Sequence, residues 1–210
     1  MDQEIEKYIK EYNVSRETFA RLCNFFNLLE EWNLKINLVS KNSLADGWIR
    51  HVLDSMQLIN YLPANLQNLV DIGSGAGFPG VVLAILLAEK QPRAKVYLVE
   101  SITKKTLYLK DVCQKLGLDN VEIINERVEN VVFKNVDVVT ARAVAALDVL
   151  CGYAVKIGQR NTKMVLLKGR KYAEENLEAQ KRWSYHYAVY PNKYSEDGVI
   201  MVIRDIRKKK

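Results

Sequence analysis

Asn68-Leu-Val-Asp-Ile-Gly-Ser-Gly-Ala-Gly-Phe-Pro-Gly80 is the stretch whose reading decides the fold. Leu69, Val70 and Ile72 read as a short buried strand, and the apolar run from Val81 to Ala88 as a helix packed on it. Between them, Gly73, Gly75, Gly77 and Gly80 allow positive φ and a close approach of backbone to ligand that a Cβ would obstruct. This is a strand, loop and helix turn of the nucleotide-binding kind. Gly75-Ala-Gly77-Phe-Pro-Gly80 even satisfies the G-x-G-x-x-G dinucleotide pattern, so the flanking residues must discriminate.

The flanks disfavour a diphosphate such as that of NAD. Asp71 places a negative charge at the strand end, and Pro79 removes a backbone N–H from the helix start, where a diphosphate wants donors. A cationic ligand suits such a pocket better. S-adenosylmethionine carries a sulfonium and an ammonium group, and Asp71 is the carboxylate expected to favour them. Glu100 closes the next strand, Lys95–Glu100, at the spacing expected of an acid that accepts from ribose hydroxyls.

Working outward, the chain alternates strand and helix as a parallel sheet requires. A helix from Thr103 to Leu116 ends at Gly117 and carries Lys104 and Lys105 in its first turn, against the helix dipole; phosphate contact would explain them. Strands are expected over Val121–Asn125, Val136–Arg142 and Met164–Lys168, with a helix from Ala143 to Ile157 and another from Asn176 to Trp183. Tyr185–Tyr190 and Val199–Ile203 read as an antiparallel pair. Asp71, Glu100, Asn125, Arg142 and Lys168 then share the carboxyl edge of the sheet, where open α/β sheets bind ligands.

Upstream, the pattern is helical to about Leu62. Phe19, Leu22, Phe25, Phe26, Leu29 and Trp32 fall at three- and four-residue steps, giving one apolar face from Ser15 to Glu31. Ser15 starts it with half a capping box, because the acid due at position 18 is displaced to Glu17. A second helix over Trp48–Tyr61 puts His51 and Asp54 three residues apart, on one face, where they could hold one another. Asn37 is expected to brace the loop between these helices. The organisation expected is a helical cap at 1–66 and an α/β body at 67–210, forming one compact unit and acting as a monomer.

The chain has 210 residues, of which 49% are apolar, enough to bury a core. No run of eighteen apolar residues and no basic-then-apolar leader occurs, so a soluble cytoplasmic protein is expected, without membrane partners. Cys23, Cys113 and Cys151 make no zinc pattern with His51 and His186, and no metal is expected. The net charge of +6 is concentrated late: residues 156–210 hold 14 basic and 6 acidic side chains, against 7 and 9 in residues 1–66. Lys168, Arg170 and Lys171, Lys181 and Arg182, and the tail Arg204 to Lys210 could follow a phosphate backbone; the alternative is a solubilising face with a frayed tail.

Several routes to covalent or proton-abstracting catalysis are missing. There is no G-x-S-x-G elbow, no H-E-x-x-H and no Pro-Cys dipeptide, and the fourth strand ends Thr140-Ala-Arg-Ala143, without the Pro-Pro-aromatic ending typical of enzymes that methylate an exocyclic amine. Guanine N7 needs no base, because its lone pair is free. Catalysis there would be mostly positioning, aided by fields that suit the charge shift. Two other readings fit the composition: a non-catalytic RNA-binding assembly factor on the same fold, and a small-molecule methyltransferase.

Seven pieces occur in order: Trp32-Asn with Asn37-Leu38, Arg50-His-Val-Leu-Asp-Ser55, Val70 to Gly80, Glu100-Ser with Lys104-Lys105, Arg127-Val-Glu129, Ala141-Arg-Ala143 and Leu167-Lys-Gly169. In these the chain resembles the bacterial 16S ribosomal RNA guanine-N7 methyltransferase G family, also called glucose-inhibited division protein B. The resemblance implies a class I S-adenosylmethionine-dependent, Rossmann-like methyltransferase fold: a mostly parallel sheet with helices on both faces and an N-terminal helical extension. It implies 16S ribosomal RNA, or the small ribosomal subunit, as partner. Position by position it implies that Gly73 and Phe78 contact the cofactor alongside Asp71, Gly75 and Gly77. It makes Glu100 the ribose acceptor, and Val128 and Glu129 the adenine edge. Arg142 lies beside the methyl donor. His51, Asp54 and Lys168 complete the candidate catalytic set on the guanine side, and Ser55, Lys104, Lys105, Lys168 and Arg170 are the RNA contacts. Ser195-Glu-Asp-Gly198 departs from the family, whose members tend to be basic there, which weakens the case for an RNA contact at that loop.

Overall fold

The computed structural model describes residues 2–209; Met1 and Lys210, the extremes of the expected cap and basic tail, lie outside the described residues. The cap comprises α1 (Asp2–Tyr12), α2 (Arg16–Asn33) and α3 (Lys41–Ala45). The single helix expected over Trp48–Tyr61 is instead three pieces: a π-helical segment Trp48–Leu53, α4 (Asp54–Met56) and a 3₁₀ turn Gln57–Tyr61. Loop bracing between α2 and α3 comes from Asn33, whose Oδ1 accepts from the N–H of Leu38 (2.9 Å) and Val39 (3.0 Å), while Asn37 makes no such side-chain bond among the described residues.

The body follows as β1 (Asn68–Ile72), α5 (Gly80–Lys90), β2 (Lys95–Val99), α6 (Thr103–Lys115), β3 (Val121–Ile124), β4 (Val138–Ala141), α7 (Leu147–Ile157), β5 (Lys163–Lys168), α8 (Tyr172–Arg182), β6 (Trp183–Pro191) and β7 (Val199–Lys208). Strand order is β3-β2-β1-β4-β5-β7-β6. The first five strands are parallel, and β7 is antiparallel to both β5 and β6. The chain runs outward one way from β1 and the other way from β4, so the crevice for a ligand opens between their carboxyl ends.

Alternation along the strands fills two cores. Leu69, Val96 and Leu98 face α5, α6 and the cap, while Val70, Ile72 and Val99 face α7. The cap is therefore packed into one face of the sheet. Phe25 of α2, fully buried, meets Phe78 at 5.2 Å between ring centroids, and Trp32 donates to Asp111 of α6 at 2.8 Å.

Several expected elements change length: α8 begins at Tyr172 rather than Asn176, and Trp183, expected to end it, instead opens β6. Residues 143–146 are not helical: Ala143 has φ 54, in the left-handed region, and α7 begins only at Leu147. The short apolar residues there looked helical, but the turn out of β4 overrides propensity. The basic tail is not frayed, since β7 continues through Arg204 and Arg207 to Lys208, and the Lys209 N–H donates to the Arg182 carbonyl.

Candidate functional site

The register pairs Ile72 with Ala141, so Gly73 and Arg142 leave adjacent strands side by side. Everything chemically notable lies on one side or the other of that junction.

On the β1–β2 side the glycine loop is braced by its own neighbours. The N–H groups of Gly73 and Ser74 donate to the Val99 carbonyl (2.8 and 3.1 Å), that of Gly77 to Ser74 (2.6 Å), and that of Gly75 to Glu100 Oε2 (3.0 Å). Those donors are committed, so the loop is no anion cradle. From behind, the Tyr108 hydroxyl donates to the Ala76 carbonyl at 3.1 Å. Gly73, Gly75 and Gly77 all have positive φ. At Gly73 a Cβ would lie 2.6 Å from Val144 Cγ2, so glycine alone lets residues 143–146 fold over the loop.

Glu100 is buried, and its two oxygens accept from Gly75 and, at 2.8 Å, from Ile102. A carboxylate has further lone pairs, which fits a ribose diol. Val128 and Glu129 form a 3₁₀ turn beyond β3; Val128 is buried, and Glu129 Oε1 accepts from Arg127 (3.2 Å) and Tyr153 (3.0 Å). The residues present fit an adenosyl group with a ribose acceptor and exclude a diphosphate cradle.

Asp71 is placed differently from expectation. It is wholly buried beneath the loop, with Oδ1 accepting from Thr140 at 2.8 Å and Oδ2 against Gly80, where a Cβ would sit 2.5 Å away. It has no surface with which to touch a sulfonium or ammonium; it braces the loop to β4. Burial pushes its pKa up to about 6, against the opposing hydrogen bonds.

On the β4–β5 side lies a cleft of about 1030 Å³, walled by the cap, residues 141–146, the end of β5, α8 and the turn between β6 and β7. Arg142 is its centre. Nη2 donates to His51 Nδ1 (2.8 Å), and Nη1 to the Arg50 carbonyl (3.1 Å) and Asp54 Oδ2 (3.5 Å), while the guanidinium lies 4.9 Å from the Phe78 ring centroid. His51 and Asp54 therefore do not hold one another; Arg142 sits between them. An arginine only donates, so Nδ1 must accept, and the Nε2 proton goes to Ser43 Oγ at 2.6 Å. Burial and then the Arg142 charge lower the His51 pKa to about 4, which leaves the ring neutral.

Asp54 joins three parts of the chain. Besides Arg142, its Oδ1 accepts from Asn192 (2.6 Å) and Gln57 (3.1 Å). Burial raises its pKa, against all of these partners. Phe78 is buried under Arg142 and His51, packed inward with no open face for a cofactor. Ser55 is fully buried and donates to the His51 carbonyl (2.6 Å), so it has no surface for RNA. Lys168, expected to face RNA, is also inward: its side chain is 9% exposed and its Nζ lies 2.5 Å from Glu175 Oε2. Arg170 is exposed and paired with Asp197. Lys104 is exposed, whereas half-buried Lys105 lies against the glycine loop rather than the cleft.

A family model described as rRNA small subunit methyltransferase G matches residues 18–196. The chain belongs to this family. Proteins named Ribosomal RNA small subunit methyltransferase G are similar over nearly the whole length: that of Ruegeria sp. strain TM1040 is 38% identical over 94% of this chain and 96% of its own, and that of Rickettsia prowazekii 37% over 93% and 98%. Among solved structures, an O-methyltransferase from Bacillus cereus in complex with SAH superposes with TM-score 0.63 at 14% identity, over 96% of this chain and 97% of that one. A SAM-dependent methyltransferase from Aquifex aeolicus gives 0.58 at 14%, over 75% and 92%. The fold is that of the class I S-adenosylmethionine-dependent methyltransferases.

The chain's own sequence carries no hint of Ser43, Gln57, Glu175 or Asn192. Each is an ordinary polar residue in its own segment, and its role arises only from what folding places opposite it. Among the described residues no three of His, Cys, Asp and Glu group as a metal site, and no helix is long and apolar enough to cross a membrane.

Proposed function

We propose that this chain methylates N7 of a guanine in the 16S ribosomal RNA of the small ribosomal subunit, with S-adenosylmethionine as donor. One observation carries the choice of acceptor: His51, the only histidine lining the cleft among the described residues, is neutral and has both ring nitrogens committed, to Arg142 and to Ser43. An acceptor that must lose a proton finds no imidazole base there, and the cleft's carboxylates are weak bases for such a proton. Guanine N7 attacks with a lone pair it already has.

S-adenosylmethionine supplies an electrophilic methyl group. Glu100, oriented by Gly75, would accept from its ribose hydroxyls, Val128 and Glu129 would meet the adenine edge, and Gly73 and Gly77 keep the loop close. Arg142, clamped by His51 and Asp54, presents its remaining donors to the donor carboxylate or an RNA phosphate, beside the Gly73 loop. Catalysis is then alignment of two partners in a site whose charges are already fixed. Exposed Arg170 and Lys104 meet the RNA backbone. The chain acts as a monomer in the cytoplasm, with 1–66 as cap and 67–210 as catalytic body.

Nucleoside mass mapping of small-subunit RNA from cells with and without the gene tests this. One 7-methylguanosine should vanish without it and return with the purified chain and S-adenosylmethionine. An unchanged set of guanine marks would sink the reading.

A further inference from the structure

Guanine differs from adenine on the edge opposite N7, where N1–H and the N2 amino group are donors that want a carboxylate. Four carboxylates line the cleft: Asp54, Glu175, Glu196 and Asp197. Asp54 is filled by Asn192, Gln57 and Arg142. Asp197 is paired with Arg170, with its side chain 56% exposed, and Glu196 is exposed, so water competes at both. Glu175 alone is half-buried, fixed and incompletely used.

Glu175 stands in the first turn of α8. Its Oε2 accepts from the Leu147 N–H at the start of α7 (3.0 Å) and lies 2.5 Å from Lys168 Nζ. Both contacts fall on Oε2, and Oε1 has no partner among the described residues. The carboxylate is thus oriented from two sides with one acceptor left over. Lys168 ends β5, two strands from β1 in the sheet, which at ordinary strand spacing is about 10 Å from the glycine loop. That is room for a purine with a contact on either side.

We infer that Glu175 is a specificity-determining residue, whose Oε1 accepts from N1–H and N2–H of the target guanine while N7 faces the methyl donor. Methylation at N7 forms an N–C bond with the base's lone pair and leaves the positive charge on the purine. No proton moves, and N1–H becomes a stronger donor. The Glu175 contact therefore tightens as the reaction proceeds and contributes to turnover as well as to selection. Lys168 acts through it, as a positioning residue.

The inference rests on guanine N7 as acceptor, and a double substitution separates the two. Small-subunit RNA is assembled by ligation with either guanine or inosine, which lacks the N2 amino group, at the methylated position. Each is assayed with the wild-type chain and with Glu175→Gln, which keeps an acceptor for Leu147 and Lys168 but turns a donor toward the base. In wild type, inosine should lower kcat/KM on the order of tenfold or more, as for a hydrogen bond to a charged group. In E175Q, guanine activity should fall by a similar factor and inosine should cost little further. An inosine penalty of the same size in both proteins would overturn the role of Glu175 while leaving the guanine reading intact. Failure of wild type to methylate guanine RNA would overturn both. Glu196→Gln, the same charge change at the exposed mouth, should leave the inosine penalty unchanged; if it abolishes that penalty as E175Q does, the assignment is wrong.

Discussion

The two halves of the crevice are built in opposite ways. On the β1–β2 side the ligand surface is backbone and one carboxylate, drawn from two successive strands of one β-α-β unit: the loop 73–80 is tied to Val99 and Glu100 on the adjoining strand. On the β4–β5 side, Arg142, His51, Asp54, Lys168, Glu175 and Asn192 come from the cap, two strands, a helix and a hairpin turn. The first half works by local geometry and suits a small cofactor of fixed shape. The second is a network of long-range hydrogen bonds, whose members fail together when one is removed.

The sharpest way to break this comparison is Arg142→Lys. Lysine keeps the charge but cannot serve His51, the Arg50 carbonyl and Asp54 at once from one plane. Methyl transfer should fall on the order of 10²–10³-fold, the usual cost of losing an aligned charged donor. Calorimetry should show S-adenosylhomocysteine affinity nearly unchanged; parallel losses would mean that the halves are not separate. Next in size is Glu100→Gln, which places an amide N–H₂ against either Gly75 or Ile102. S-adenosylhomocysteine should bind on the order of tenfold more weakly, while saturating cofactor restores most of the turnover.

The smallest effect concerns pH. The methyl-transfer rate under single turnover should be flat from about pH 6.5 to about 9, because no base is titrated; a tenfold rise per pH unit would reveal one. Stability in acid carries opposing signs from the two halves. His51 is lowered from 6.5 to about 4, so between those values the unfolded chain binds a proton that the folded chain refuses, and stability declines as pH falls. Asp71 is raised from 3.8 to about 6, so over that window the folded chain binds the proton first, and stability grows as pH falls. Denaturation midpoints across this range should therefore fall more steeply in Asp71→Asn and less steeply in His51→Asn than in wild type.

The α2 start shows how far local reading reaches. Ser15 caps the helix as its sequence suggests, accepting from the Thr18 N–H at 3.1 Å. The acid missing from the capping box is supplied across the fold by Glu89 of α5, which accepts from the Ser15 N–H at 3.0 Å. A box incomplete in sequence is complete in space. The same holds at α7, whose first N–H is taken by Glu175 from α8. At residues 143–146 the error ran the other way, since apolar short side chains look helical until the turn out of β4 has to fit over Gly73.

Periodicity and the glycine loop determined by themselves the alternating strands and helices, the parallel sheet, the crevice at its carboxyl edge and Glu100 at the end of the second strand. These rest on interactions within a few residues or between successive strands, and such interactions leave a repeating mark in the chain. Only the tertiary structure decided that Asp71 is a buried brace, that Ser55 and Phe78 point inward, that Lys168 faces Glu175 rather than RNA, and that Arg142 stands between His51 and Asp54. Those outcomes depend on which side chains meet across separate elements of the fold or on which face turns inward, and a hydrogen bond between such elements imposes no pattern on the residues near either partner.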